Sequence, residues 1–228
     1  MFHHLFGKNY ARKYWLKKTQ SSVMKIFLEK PHINKRNFIK DTEIISLDIE
    51  TTGLDSKEDR IVSIGLVEIS QLGIRLDSCW HQIIKANKKL PEKSIVIHNI
   101  TDDETSQGIT IHEAIEELLK RLKGKVVLVH NANIEQGFIN EICQKLYRTE
   151  FIMQVIDTQV LAKRSFERKG ASYQPTELRL FNLRKTYNLP PYKAHNALLD
   201  AIATAELFLV MLPMISASDS ARVGDFLS

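Results

Sequence analysis

The chain has 228 residues and a mass of 26.2 kDa, enough for one domain with an appended segment, and its 43% hydrophobic and 26% charged residues exclude a disordered or collagen-like chain. Its two cysteines exclude a disulfide framework and a cysteine-based zinc site. It has no run of 18 consecutive apolar residues, and its first residues lack the apolar block of a secretory signal, so we expect a cytoplasmic location without membrane contact.

The net charge of +5 is unevenly distributed along the chain. Residues 1–40 carry ten Lys and Arg residues and a single acid, a net charge of +9, whereas the remaining 188 residues carry −4. We therefore predict three parts: a basic N-terminal extension at 1–40, a main domain at 41–213 and a short C-terminal tail at 214–228. Such an excess of positive charge is typical of a surface that contacts polyanions.

Aromatic residues alternate with the charges of this extension, at positions 2, 6, 10, 14 and 15. Side chains of this kind can stack on the bases of a single nucleic acid strand. Phe6, Tyr10 and Tyr14 are spaced by four residues, so they fit equally well a helix whose apolar stripe docks on the main domain or on a partner protein.

From residue 41 onward, hydrophobic periodicity predicts an α/β fold with a mixed sheet flanked by helices. The segment 43–50 alternates as a strand does, and strands at 61–69 and 73–84 complete an antiparallel meander. Capping boxes at 101–104 and 110–113 mark helix starts. Strands at 126–129 and 151–156 then alternate with four helices: one with a core stripe of Phe138, Ile142 and Leu146, one that begins at Asp157, and two at 176–187 and 197–212.

Two carboxylates share one face of the first predicted strand. Asp48 and Glu50 are two residues apart, which places their side chains roughly 6–7 Å apart along the strand. Facing carboxylates resist ionising together, and a divalent cation between them removes that penalty. Taken alone, such a pair is more often a solvated strand face than half of a metal site.

A third carboxylate lies in a helix of small and apolar residues. Asp200 is surrounded in sequence by Ala, Leu and Ile, so burial is expected, and a buried carboxylate needs a cation or a basic partner. His195 precedes it in the approach to the helix, with Asn196 as a predicted N-cap. A single histidine in a loop is by itself most simply an exposed side chain.

Three runs occur in the order of three exonuclease motifs: Asp48-Ile-Glu50-Thr51-Thr52-Gly53-Leu54, His130-Asn131-Ala132-Asn133-Ile134-Glu135 and His195-Asn-Ala-Leu-Leu-Asp200. Each run alone is a weak signal, but the three in this order are specific. Over residues 41–212 the chain resembles the DEDD superfamily of 3′→5′ exonucleases, histidine subgroup, which includes the proofreading epsilon subunit of bacterial DNA polymerase III. The resemblance implies a ribonuclease-H-like fold and makes 41–213 an exonuclease domain.

The same resemblance implies the roles of individual residues. Two Mg²⁺ or Mn²⁺ ions would be held by four acids, and His195 would act as general base in a two-metal hydrolysis. The four acids are Asp48, Glu50, Glu135 and Asp200. The 3′-terminal nucleotide would contact Thr51, Leu54, His98 and Asn131, although Leu54 also fits a core position.

The chain departs from the family pattern at Glu135, where the second motif normally ends in Asp. The extra methylene shifts the carboxylate by about one C–C bond, so the acid could act through water, or the site could be retuned or impaired. Asp157 follows the next predicted strand as a similar Asp does in the family, and it is a fallback acid. Capping of the following helix is the favoured interpretation of Asp157.

The sequence therefore predicts a metal-dependent 3′→5′ exonuclease that shortens single-stranded or frayed DNA ends to nucleoside 5′-monophosphates. An RNA-trimming exonuclease of the ribonuclease T or oligoribonuclease type is the first alternative. A module that binds nucleic acid or a polymerase without cutting is the second, and its sequence support is Glu135. The N-terminal extension is a candidate contact for nucleic acid, a polymerase or another protein partner.

Overall fold

The computed structural model describes residues 7–86, 88–216 and 219–228. Five strands form one sheet in the order β3-β2-β1-β4-β5. Strands β1 to β3 form an antiparallel meander, and β4 and β5 run parallel to β1, so the predicted mixed sheet is confirmed. The strands are β1 (Ile44–Thr51), β2 (Ile61–Ser70), β3 (Gly73–Ile83), β4 (Val126–Val129) and β5 (Val155–Asp157). The fifth strand is shorter than predicted, because only three of its residues pair with β4.

Helices flank this sheet on both faces. Both capping boxes are present, at Thr101 and Thr110, as predicted. The helix predicted at 176–187 is a 3₁₀ turn followed by an α-helix, because Arg179 between them has an extended backbone. The helices are α1 (Lys8–Lys18), α2 (Ser22–Glu29), α3 (Glu92–His98), α4 (Asp102–Ser106), α5 (Ile111–Leu122), α6 (Ala132–Tyr147), α7 (Thr158–Arg168), α8 (Leu180–Thr186), α9 (Ala197–Ile215) and α10 (Val223–Phe226).

Strand β1 is buried on both faces. Ile45, Leu47 and Ile49 pack in one core with residues of α2, α5 and α6. Helix α9 covers the opposite face, where the Ser46 hydroxyl donates a hydrogen bond of 2.6 Å to the carbonyl of Ala201. The face that carries the two carboxylates is therefore covered by a helix and is not an ordinary solvated surface.

Gly65 of β2 allows α9 to approach the sheet closely. It is the residue opposite Asp48 in the β1–β2 ladder. A Cβ atom at this position would lie 2.2 Å from the backbone nitrogen of Leu198 and 2.3 Å from the carbonyl carbon of Ala197. Only glycine fits under the first turn of α9 without moving the helix.

The predicted core stripe of α6 is partly wrong. Phe138 is buried, but Leu146 is 39% exposed and Ile142 is only partly buried. The buried face runs instead through Glu135, Phe138 and Cys143. The prediction misses this face because apolar spacing does not identify a buried acid such as Glu135.

The N-terminal helices pack on the main domain. Met24, Phe27 and Leu28 of α2 belong to the same core as β1, and Arg12 of α1 donates a hydrogen bond to the carbonyl of Leu28. The predicted stripe is only partly observed, because Tyr10 is exposed and α1 docks through Ala11, Trp15 and Leu16. Phe2 and Phe6 lie outside the described residues. The proposed boundaries at 1–40, 41–213 and 214–228 stay a prediction.

Helix α9 is long and apolar enough, by length and composition alone, to cross a membrane. In the fold it lies on the sheet, with Ala201, Ala205 and Phe208 fully buried, and its first turn carries Asp200. Its apolar character is thus explained by packing inside the protein. After α9 the chain returns to the core, where the ring of Phe226 lies 5.6 Å from that of Phe208.

Candidate active site

Three carboxylates converge where α9 crosses β1. Asp48 and Glu50 project from β1, and Asp200 projects from the first turn of α9. Each contributes an oxygen that lies within 4.8 Å of the other two. We call these three residues the acid cluster. The ladder between β1 and β2 shifts register at Glu50 and Thr51, an irregularity of the kind that re-aims side chains beside functional sites.

The acids of this cluster oppose one another's ionisation. Burial raises the pKa of Asp48 well above its usual range, and the charges of Asp200, Glu135 and Glu50 raise it further. Burial, followed by the charge of Asp200, raises the pKa of Glu50 to about 7. A set of oxygen donors that cannot all ionise unaided fits a hard divalent cation.

Glu135 lies beside the acid cluster in the first turn of α6. Its side chain is 2% exposed, and Oε2 has no hydrogen-bond partner among the described residues. Burial is the main cause that raises its pKa, and its charge is one of those that raise the pKa of Asp48. The carboxylate lies outside the 4.8 Å group, and the longer side chain keeps a buried acid here with no donor to Oε2 among the described residues.

Asp157 is a cap and not a cluster member. Its carboxylate accepts hydrogen bonds from the backbone N–H groups of Gln159 and Val160 at the start of α7. It also accepts from Asn131 at 3.1 Å and Ala132 at 2.9 Å, at the start of α6. The predicted capping role is confirmed, and the second cap fixes the helix turn that carries Glu135.

Among the described residues, Asp200 has two hydrogen-bond donors. The Tyr192 hydroxyl donates to Oδ1 at 2.5 Å, and the backbone N–H of Asn196 donates to Oδ2 at 3.0 Å. Asn196 also caps α9, as predicted. Burial, followed by the charge of Asp200, raises the pKa of Tyr192, so this hydroxyl stays protonated. Sequence reasoning missed Tyr192, because a tyrosine eight residues before an aspartate carries no local signal.

His195 lies in the loop immediately before α9. Its side chain is exposed and its φ is 65°, a left-handed conformation that turns the chain into α9. His98, at the end of α3, is buried, and its pKa is lowered by burial and then by the charge of His195. The His98 Nδ1 atom accepts from the Ile100 N–H at 3.0 Å, and Nε2 has no partner among the described residues.

The turn after β1 presents an apolar side chain to solvent. Leu54 is 81% exposed, so the core interpretation is wrong. The turn is held by Asp59, which accepts from the Thr52 hydroxyl at 2.9 Å and from the Asp55 N–H at 3.0 Å. Thr51 is half-buried and donates to the carbonyl of Gly53 at 2.6 Å. Leu54 thus projects into solvent from the turn that follows Glu50.

Comparison with known proteins identifies the family. A family model described as Exonuclease (RNase_T) matches residues 45–208, which include all three motifs. The chain belongs to this exonuclease family. It is 31% identical over 175 residues to the PolC-type DNA polymerase III of Thermotoga maritima, which covers 77% of the chain and 12% of that polymerase. It is 31% identical over 167 residues to the DNA polymerase III subunit epsilon of Treponema pallidum, covering 73% of the chain and 75% of the subunit.

A solved structure shares the fold of this exonuclease. The nuclease domain of 3′hExo, a DEDDh family member bound to rAMP, superposes with a TM-score of 0.66 at 16% identity, covering 79% of this chain and 96% of that domain. The predicted ribonuclease-H-like fold and the prediction of an exonuclease are confirmed. The exonuclease matches 12% of the length of the PolC-type polymerase. The activity of that whole polymerase is therefore not assigned to this chain.

The acid cluster predicts how the stability of the exonuclease depends on pH. Because the pKa of folded Glu50 is raised from 4.5 to about 7, the folded protein holds a proton that the unfolded chain has lost. The resulting stabilisation is complete below the unfolded pKa and is lost as pH rises through the folded pKa. In EDTA, we expect the free energy of unfolding to fall between about pH 5 and pH 8, measured by urea titration. Glu50→Gln should flatten this slope, and a rise of stability in the native chain would contradict the arrangement.

Proposed function

We propose that the chain is a metal-dependent 3′→5′ exonuclease that releases nucleoside 5′-monophosphates from single-stranded or frayed DNA ends. The observation that carries the proposal is the convergence of three carboxylates within 4.8 Å, with the buried Glu135 close enough for its charge to raise the pKa of Asp48. Cation binding explains why these four acids are buried or grouped together, whereas a module that only binds a partner would not require them.

The acids would hold two Mg²⁺ or Mn²⁺ ions: Asp48, Glu50 and Asp200 directly, and Glu135 directly or through water. Bound ions supply the positive charge that lets the acids ionise together and that stabilises the oxygens of the phosphodiester. His195 would take the proton of the attacking water, a role suited to an exposed imidazole with freedom to turn over the cluster. His98 would contact the terminal nucleotide together with Thr51 and Asn131.

Leu54 would stack on the terminal base. Its exposure in the turn that follows Glu50 supports this role, because an apolar side chain can cover any base and therefore gives little sequence specificity. The polymerase III relatives favour DNA over RNA as the substrate. An RNA-trimming enzyme differs from a DNA exonuclease in that its site accepts the 2′-hydroxyl of the substrate. Comparing the rates on DNA and RNA strands measures this difference.

The test is digestion of 3′- and 5′-labelled single strands of DNA and RNA with Mg²⁺, Mn²⁺ or EDTA. Shortening from the 3′ end that requires a metal and is faster on DNA is the expected result. Faster shortening of RNA would support the RNA-trimming alternative. Binding of a strand without shortening under either metal would overturn the proposed activity in favour of the non-catalytic module.

His195→Ala is expected to lower the rate of shortening by about 10²–10⁴-fold at neutral pH, because a positioned general base contributes that much. Mn²⁺ binding should persist, since the four acids remain. His112→Ala is a matched control, because His112 lies exposed on α5, 3.7 Å from Glu116. A His195→Ala protein with nearly native rates would remove His195 from the proposed mechanism.

The basic extension is proposed to contact the nucleic acid backbone. Deleting residues 1–40 is a poor test, because α2 contributes to the core. We expect Lys13→Gln with Lys17→Gln, both exposed on α1, to weaken single-strand binding and to reduce its salt slope by about 0.7 for each phosphate that is no longer neutralised. The same changes at Lys163 and Lys169 serve as a control. Unchanged affinity and slope would favour a protein partner, such as a polymerase, for this surface.

A cytoplasmic location without membrane contact is part of the proposal. It is supported by the packing of α9, the one helix among the described residues with the length and composition of a membrane span, on the sheet.

A further inference from the structure

The Asp200 carboxylate is held by a hydroxyl from outside its own helix. Asp200 is 8% exposed, and the two protein donors described above reach one oxygen each. The Asn196 donor is a backbone group of the α9 N-cap and comes with the helix. Tyr192 lies in the loop before the helix and reaches Oδ1 through its side chain, so its contribution depends on where that loop holds the ring.

The position of Tyr192 is fixed by Arg184 of α8. The Arg184 guanidinium lies 4.9 Å from the centre of the Tyr192 ring. Arg184 is itself 3% exposed, and it donates to the carbonyl of Pro190 at 3.0 Å, within the same loop. It also donates to the carbonyl of Ala203 at 2.9 Å and pairs with Glu206 at 2.7 Å, both on α9.

These contacts form one connected arrangement. Arg184 ties the loop to α9 and supports one face of the Tyr192 ring, and the ring delivers its hydroxyl to Asp200 on the same helix. Such contacts would favour cation binding by Asp200, because the hydrogen-bond partners of a metal-binding carboxylate fix its orientation. Tyr192 does not reach the other two acids of the cluster by any described hydrogen bond.

We propose that Tyr192 is a positioning residue that orients the Asp200 carboxylate for the cation. The proposal rests on the proposed metal-dependent function. When the hydroxyl is absent, Asp200 Oδ1 loses its donor among the described residues, and the carboxylate can rotate about its side-chain torsion. The orientation that suits the cation is then only one of several, and cation affinity falls.

The experiment compares Tyr192→Phe with the native full-length chain in direct Mn²⁺ binding, followed by electron paramagnetic resonance without nucleic acid. We expect binding about 10–100-fold weaker, the usual effect of removing an outer partner of a metal ligand. The chain should stay folded in EDTA, because the ring and its contact with Arg184 remain, and the unfolding temperature should fall modestly with the loss of one hydrogen bond to a buried carboxylate. The rate of strand shortening should return to near the native value at saturating Mn²⁺.

Tyr187→Phe is the matched control, since it removes a hydroxyl from the same region that does not touch Asp200 and should leave Mn²⁺ affinity unchanged. If Tyr192→Phe binds Mn²⁺ as the native chain does, or if both variants weaken binding equally, the positioning role is overturned while the proposed function stands. If the native chain itself neither binds Mn²⁺ nor shortens a strand, both proposals fail.

Discussion

Asp48→Asn is expected to abolish metal-dependent shortening while the protein stays folded and becomes more stable without metal. The side chain keeps its size and loses only its charge. In the native chain that charge is opposed by burial and by the carboxylates of Asp200, Glu135 and Glu50. Its interaction with a bound cation is worth several kcal/mol in the transition state, so the rate should fall by about 10³-fold or more.

Both effects of Asp48→Asn can be measured on one preparation, by thermal unfolding in EDTA and by shortening of a labelled strand in Mn²⁺. Asp77→Asn on β3 is the matched control, because Asp77 is exposed and pairs with Arg75 at 2.7 Å on the surface. It should change neither quantity by much, since surface ion pairs contribute little. Native rates in Asp48→Asn would show that this carboxylate holds no cation.

Gly65→Ala is expected to damage both stability and activity. The added methyl group would lie 2.2 Å from the Leu198 nitrogen and 2.3 Å from the Ala197 carbonyl carbon, both backbone atoms. Backbone cannot turn aside as a flexible side chain can, so the first turn of α9 must shift away from the sheet. Overpacking typically costs about 1–3 kcal/mol, and we expect the upper part of this range. Because Asp200 lies on that turn, the shift also separates it from Asp48 and weakens cation binding.

Urea unfolding and Mn²⁺ binding at a temperature well below the unfolding midpoint measure the two effects separately. Gly73→Ala at the start of β3 is the control, since its Cβ would meet nothing closer than the Ser70 carbonyl at 3.5 Å. A Gly65→Ala chain with native stability would mean that α9 can rise from the sheet freely. In that case the close approach would not be what holds the acids together.

Features that depend on neighbouring residues were predicted correctly from the sequence. The alternation of β1 assigns Ile45, Leu47 and Ile49 to one face, and the structure places them in one core. Capping boxes are formed by residues three positions apart, and both are present. The order of the three motifs identified the family, because the residues of each motif are close together in sequence.

Features that depend on packing between distant segments could not be predicted in this way. The predicted apolar stripe of α6 differs from the buried face because apolar spacing does not reveal that Glu135, an acid, is buried. Tyr192 meets Asp200 only because Arg184 fixes the intervening loop. Asp157 was recognised as the cap of α7, but its bonds to the start of α6 join residues 25 and 26 positions apart. Gly65 did carry a signal, since a glycine inside an apolar strand often marks a close backbone approach.

The outward position of Leu54 affects the thermodynamics of association at this turn. An isobutyl group that is 81% exposed keeps water ordered around it in the free protein. Whatever partner covers the turn releases that water, and removal of apolar surface from water lowers the heat capacity. Calorimetry over a range of temperatures would therefore record a binding enthalpy that becomes more favourable on warming, with a smaller slope when Leu54 is replaced by Ala.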